Sequence, residues 1–208
     1  MVNAETNADG ERDRIVEAAM QLFSALGFDA TTTELIADSA GVDTATVRTS
    51  FRSNAELYRA VMRRAAKAEQ AALREAVEDF TPTRQAMNRL LDDYLDLYAA
   101  RPDLLGLWLH RRTGDAADTA DIDEHHVQPR LSWLVDSLRE HVLDPGQLDY
   151  ALWSFPWVVS GFLGHGMIHT DEKRSRGPGQ PVTDRELEAF RTYLHTMADR
   201  LLGLPDAQ

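Results

Sequence analysis

The sequence predicts an all-α fold, and three observations carry that expectation. Apolar residues recur at three- and four-residue spacing nearly everywhere, no stretch of five or more residues alternates apolar with polar between turn signals, and helix-start chemistry punctuates the chain four times. Ser53 with Glu56 and Thr183 with Glu186 fit the capping box, while Thr81-Pro82 and Asp144-Pro145 set a cap residue ahead of a proline in a first turn. Nine helices follow, at 11 to 26, 33 to 40, 44 to 50, 54 to 79, 82 to 100, 102 to 112, 124 to 143, 145 to 169 and 183 to 203.

Between them, 113 to 123 (TGDAADTADID) and 170 to 181 (TDEKRSRGPGQP) are small, charged or rich in Gly and Pro, and read as loops. Residues 1 to 10 are polar and acidic without an apolar run, so they read as a disordered arm and not as a signal or transit peptide. Ala151 to Ile168 is a stretch of eighteen residues without formal charge. Ser154, Pro156, Ser160, Gly161, Gly164, His165 and Gly166 dilute it, which favours a buried helix over a membrane span.

At 208 residues and 43% hydrophobic composition, the chain can bury a substantial core. The absence of cysteine excludes a disulfide scaffold, a thiolate nucleophile and any Cys-ligated metal centre, and it fits a cytoplasmic protein. A net charge of −12 argues against coating nucleic acid or membrane with the whole surface, but leaves room for a local basic patch.

Such a patch coincides with the most distinctive pattern in the chain. Helices of seven or eight residues at 33 to 40 and 44 to 50 cannot stand alone. Helix 11 to 26 supplies a partner stripe of Ile15, Ala18, Ala19, Leu22 and Phe23, faced by Ile36, Ala37, Ala40, Val42, Val47 and Phe51. Gly41 takes the left-handed conformation that the tight turn between the short helices demands. This is helix-turn-helix logic. The window 44 to 67 holds Arg48, Arg52, Arg59, Arg63, Arg64 and Lys67 against Glu56 alone, a net +5, whereas 1 to 43 is net −7. Arginine concentrated there suits phosphate contact and groove entry.

Thr31-Thr32-Thr33, Ile36-Ala37, Ala40-Gly41-Val42, Thr46-Val47, Phe51, Ser53 and Glu56-Leu57, preceded by Leu22-Phe23 and Gly27-Phe28, resemble the TetR family of bacterial transcriptional regulators over about residues 12 to 62. The resemblance implies a helix-turn-helix domain at 11 to 53 and an effector-binding and dimerisation domain at 54 to 208. Its implied partners are a palindromic double-stranded DNA operator, a small-molecule effector and a second copy of the chain, with no membrane and no cofactor. By position it makes Thr32 and Thr33 phosphate contacts, and Glu34, Thr44, Ala45, Thr46 and Arg48 candidates for base or groove contact. Thr49 and Ser50 fall on the sugar-phosphate wall, and Arg52 and Asn54 are further DNA-binding candidates. Arg48 can offer two parallel donors to guanine, and Glu34 can either accept from cytosine or act as a helix N-terminal charge. Ala45, Arg48, Ser50 and Asn54 depart from the family's commonest residues, Asn54 in place of a Lys.

Beyond residue 82 the resemblance implies a variable effector domain, for which Tyr94, Tyr98, Trp108, Trp133, Trp153 and Trp157 are aromatic lining candidates, with Phe155 and Phe162 beside them. His110, Arg111 and His141 are the polar candidates. Ser160, Gly161 and Gly164 form a small-residue face, and Phe190, Leu194, Met197 and Leu201 form a stripe. Two copies of each are expected to close a four-helix dimer interface.

Two other functions compete with this reading. His165 and His169 stand four apart with Asp171 following, and Asp121, Asp123, Glu124, His125 and His126 cluster, so a helical metal-dependent hydrolase is one alternative. A protein-binding helical adaptor is the other. No nucleophile elbow, Walker loop, dinucleotide glycine motif or paired-histidine zinc motif is present, so an enzyme is not expected and neither is a resident metal.

Overall fold

The computed structural model describes residues 2–116, 119, 121–170 and 175–207, with side chains from Gly10 onward. Among these residues are nine α-helices: α1 (Val2–Leu26), α2 (Thr33–Ala40), α3 (Thr44–Ser50), α4 (Asn54–Glu78), α5 (Arg84–Ala100), α6 (Pro102–Arg112), α7 (Gln128–Leu138), α8 (Leu148–Ser160) and α9 (Asp184–Leu202). Among the described residues the only β pairing is an isolated antiparallel bridge between Met167 and Arg176.

The chain forms two compact units, and these do not follow the expected boundary after Ser53. One comprises residues 1–67 and 102–126, the other residues 68–101 and 127–208. The chain therefore passes between them three times, inside α4, before α6 and after His126.

In the first unit α1 buries Ile15, Ala19, Met20 and Phe23, α2 and α3 bury Ile36, Ala37 and Val47, and α4 buries Leu57, Tyr58, Val61 and Met62. Phe23, Phe28 and Tyr58 pack ring against ring at 5.2 to 5.8 Å. Helix α6 lies on α1 so closely that a methyl group on Gly106 would sit 2.6 Å from the Ser24 carbonyl oxygen. The second unit has its own core, in which Leu91 and Leu95 of α5, Leu138 of α7, Leu152 and Phe155 of α8 and Leu194 and Leu202 of α9 meet. Arg191 of α9 ties to Asp92 and Asp96 of α5 at 3.0 and 2.5 Å.

Several expected element bounds shift for local reasons. Residues 2 to 10, expected as an arm, continue α1; no proline interrupts them, and extending an existing helix avoids the cost of nucleation. Helix α5 starts at Arg84 because Thr83, not Thr81, adopts the extended cap conformation and accepts from the Ala86 N–H. The expected helix 124 to 143 is a π turn at Asp123–Val127 followed by α7, with Pro129 resetting the first turn. The expected helix 145 to 169 opens as a 3₁₀ turn at Pro145–Gln147, becomes α8, and closes as a π turn at Gly161–His165. Gly166, at φ +79°, ends it in a backbone conformation that L side chains rarely adopt. The Thr183–Glu186 capping box forms as expected at the start of α9. At α4 only half of one forms: Ser53 accepts from the Glu56 N–H, but the Glu56 carboxylate takes the N–H of Arg52 instead of Ser53.

Candidate nucleic-acid interface

The short helices of the first unit are stopped and started by named groups. The Thr32 hydroxyl caps α2 by accepting from the Leu35 N–H, and Gly41, at φ +67°, closes its C-terminus. Two residues later the Asp43 carboxylate caps α3, accepting from the Thr46 N–H at 2.6 Å. Hydrogen bonds from the Thr46 hydroxyl and amide hold the Asp43 carboxyl below its ordinary range. With Ile36, Ala37 and Val47 buried, the opposite faces of both helices are turned outward.

On those outward faces stand most of the expected contact residues. Thr32, Glu34, Ala45, Arg48, Thr49 and Arg52 are exposed, and Thr33, Thr44, Thr46 and Ser50 are half-buried. Arg48 reaches back across the turn to Glu34, Nη2 to Oε1 at 3.1 Å. Both partners are mostly in solvent, so the pair is worth about 0–1 kcal/mol and yields readily to a stronger acceptor. The Thr49 hydroxyl is engaged with the Ala45 carbonyl at 2.8 Å. Asn54 is half-buried and donates to the Thr31 carbonyl at 2.7 Å, so its amide braces the entry to α2.

The basic window divides in two. Arg59 is committed to Asp121 through contacts of 3.1 to 3.2 Å, and Arg64 faces Asp13 and Glu17 at 3.7 Å. Arg48, Arg52, Arg63 and Lys67 are exposed.

Residues not singled out in the sequence for DNA contact complete the arrangement. Arg12 of α1 lays its guanidinium 3.9 Å over the Phe51 ring and donates to the Ser50 carbonyl at the end of α3. That is a charge-assisted bond to a helix C-terminus plus a cation–π contact. Arg12→Ala should therefore destabilise the protein by about 1–2 kcal/mol and loosen the recognition helix; urea unfolding with unchanged stability would show the contact to be idle. Thr31 is buried, and its hydroxyl donates to the Gly27 carbonyl at 2.7 Å. The loop after α6 reaches the same turn, where Asp115 accepts from the Phe28 N–H. Arg12 was legible as an apolar-face neighbour of Phe51 only once α1 and α3 were packed, and no local signal joins residue 115 to residue 28.

The expected effector-lining residues are distributed between the units. Trp108 and His110 lie in the first. Trp108 is buried and its indole N–H has no partner among the described residues, while His110 is half-buried beside Gly27. Tyr94, Tyr98, Trp133, His141, Trp153 and Trp157 lie in the second. Tyr98 is buried against Tyr94 at 4.8 Å and donates to the buried Glu69, which also pairs with Arg130. Burial pushes the Tyr98 phenol well above its ordinary range. Trp133 leans on Phe80 at 5.5 Å, His141 is exposed, and Trp153 stacks on Trp157 at 6.2 Å. Arg111, the third polar candidate, is engaged by Asp123 at 2.7 Å and by Thr119.

The expected dimer residues are partly inward-facing. Leu194 is 1% exposed and belongs to the core of its own unit, because α9 turns Leu194, Ala198 and Leu202 inward and Tyr193, with Leu201, outward. Ser160 is buried with its hydroxyl on the Pro156 carbonyl, Gly161 and Gly164 sit in the π turn, Phe190 stacks on Phe162 at 3.8 Å, and Met197 is half-buried. On α8 and α9 the large exposed apolar side chains are Tyr150 and Trp157, and Tyr193 and Leu201, respectively.

The metal alternative loses its geometry. The break at Gly166 removes His165 and His169 from a common helical face, and Asp171 lies outside the described residues. His125 bonds the Asp121 carbonyl, and Asp121 and Asp123 are occupied by Arg59 and Arg111. Among the described residues no three His, Asp or Glu side chains converge as a metal site would require. No described helix is long and apolar enough to cross a membrane.

Residues 15–61 match the family model described as bacterial regulatory proteins, tetR family. No curated protein matches the chain by sequence. Among solved structures, the chain is similar to a tetR family transcription regulator of Shewanella sp. PV-4, with 17% identity over 92% of this chain and 98% of that one and a TM-score of 0.67. It is similar to the ketosteroid transcriptional regulator KstR2 of Mycobacterium tuberculosis, with 19% identity over 92% and 94% and a TM-score of 0.65. AibR, seen in complex with isovaleryl coenzyme A and operator DNA, shares 14% identity over 93% and 99% at a TM-score of 0.69.

Proposed function

We propose that this chain, whose residues 15–61 match the tetR family model, is a cytoplasmic, ligand-responsive transcriptional repressor of that family with no enzymatic activity. Two copies bind a palindromic double-stranded operator, each laying α3 in a major groove, and a small-molecule effector held by the second unit releases them. The observation that carries this is the exposed face of α2 and α3, with Arg48 on it and Arg52 just beyond its end, both free of the core in a protein of net charge −12. That AibR, a protein of this fold, was seen with both isovaleryl coenzyme A and operator DNA supports the pairing of the two activities.

Operator reading by a dimer needs its two α3 helices about 34–36 Å apart, one helical turn of DNA. The exposed apolar stripes on α8 and α9, Tyr150 and Trp157 with Tyr193 and Leu201, are the surface we assign to the second copy. An effector then acts by favouring the DNA-incompetent spacing, with a coupling of about 1–3 kcal/mol.

Selection of bound fragments from genomic DNA by the purified protein tests the reading, and recovery of no preferred sequence would sink it. Within a selected site, Arg48→Ala should cost about 1–3 kcal/mol and relax the preference at one base position, whereas Thr33→Ala should weaken all sequences alike. Uniform weakening by Arg48→Ala, measured against single-base variants of the site, would move Arg48 to the phosphate-contacting class.

A further inference from the structure

We infer that Asp115, fifty-four residues beyond the matched segment 15–61, is a positioning residue for operator binding, its carboxylate fixing the turn that aims α2 and α3. The inference rests on the DNA-binding reading above. It starts from the turn between α1 and α2. The Gly27 N–H closes α1 on the Phe23 carbonyl at 3.0 Å, but the next two backbone donors, those of Phe28 and Asp29, find no acceptor within that turn. Asp115 takes both, Oδ2 from the Phe28 N–H at 2.5 Å and Oδ1 from the Asp29 N–H at 3.3 Å. A bidentate carboxylate on two successive amides is a charge-assisted cap, delivered from 86 and 87 residues away in sequence.

The rest of the turn is equally constrained. Thr31 N–H donates to the Phe28 carbonyl at 3.2 Å, the Thr31 hydroxyl donates to the Gly27 carbonyl, and the Thr31 carbonyl accepts from Asn54. Thr32, the cap of α2, follows directly. Space is tight as well: a Cβ on Gly27 would lie 3.1 Å from His110 Nδ1 and 3.3 Å from Asp115 Oδ2. Asp115 is itself held, its N–H on the His110 carbonyl at 3.2 Å in the last turn of α6. The neighbouring Arg111 is pinned by Thr119 at 2.9 Å and by Asp123 at 2.7 Å. The end of α6 is thus a braced arm whose tip sets the start of α2.

This role has an unusual sign. Asp115 places a negative charge in a domain that must approach phosphates, so electrostatics alone requires its removal to strengthen binding to every duplex. Positioning requires the reverse for the operator only. The full-length protein carrying Asp115→Ala, and separately Asp115→Asn, is titrated with a duplex that the wild type selects from a random-sequence pool and with a scrambled duplex of the same composition. Amide hydrogen exchange at Phe28 and Asp29 is followed in the free proteins. With Asp115→Ala both amides should exchange faster and the selected duplex should bind about tenfold more weakly, the scale of losing charge-assisted bonds, while the scrambled duplex binds as well or better. Asp115→Asn, which keeps one acceptor oxygen, should fall between, and it decides the matter if the alanine variant does not fold. Unchanged exchange at both amides overturns the proposal, as does a selected-duplex affinity that holds or rises together with the scrambled one. A wild type that selects no duplex overturns the DNA-binding reading and this proposal together; a selecting wild type with an indifferent Asp115 overturns this proposal alone.

Discussion

Gly106→Leu is expected to lower the melting temperature of the protein, although leucine is the far better helix former. Exchanging glycine for leucine inside an exposed helix would ordinarily gain somewhat under 1 kcal/mol. At Gly106 even the first added carbon would lie 2.2 Å from the Ser24 hydroxyl and 2.6 Å from the Ser24 carbonyl oxygen. The hydroxyl can rotate away. The carbonyl belongs to the backbone of α1, so α1 and α6 must separate, and overpacking of this kind costs about 1–3 kcal/mol. The net loss should appear as a fall of several degrees, since about 1 kcal/mol corresponds to roughly 2–4 °C in a chain of this size. Gly10→Ala, at a helical position where a Cβ meets nothing within 4 Å, should have the opposite sign. Calorimetry on the two variants separates the effects; an unchanged or raised melting temperature for Gly106→Leu would mean that the close crossing is not required.

Trp157→Glu should give folded monomers that have lost more than about a hundredfold in operator affinity, because bivalent attachment to two half-sites typically multiplies affinity by about 10²–10⁴. Trp157 is 56% exposed in the single chain, so the substitution removes little from the core beyond its stacking on Trp153. Placed in an apolar interface between two copies, a carboxylate meets its own symmetry mate or loses its water, and either outcome is costly. Light scattering and titration with the selected duplex read the two effects. A dimer that binds as the wild type does would put the interface elsewhere on the molecule.

Much of the first unit was legible because its determinants are local. The left-handed Gly41 and the buried Ile36, Ala37 and Val47 act in the structure as residue type and spacing imply, whereas the caps at Thr32 and Asp43, though equally local, emerge only with the structure. The stripe on α9 shows where that logic stops. Phe190, Leu194, Met197 and Leu201 do recur at helical spacing, yet spacing does not say whether Leu194 or Tyr193 points outward; only the packing against α5 and α8 decides, and it buries Leu194. The expected helix 145 to 169 fails for a similar reason. Gly166 could have continued it, but the approach of the Arg176 and Gly177 backbone, 2.1 to 2.8 Å from where a Cβ would stand, fixes the break there. Asp115 and Arg12 carried no local signal because their partners are distant in sequence.

The three passages of the chain between its units bear on how such a protein can be recombined. Hybrid regulators are most simply assembled by joining the first part of one chain to the remainder of another at a single splice. Here a splice after Lys67 would separate α1 and the turn at Phe28 from the glycine that faces Ser24 and from the carboxylate of Asp115. The heritable unit is instead discontinuous: residues 1–67 and 102–126 must travel together, so a working hybrid needs three junctions, after Lys67, before Pro102 and after His126.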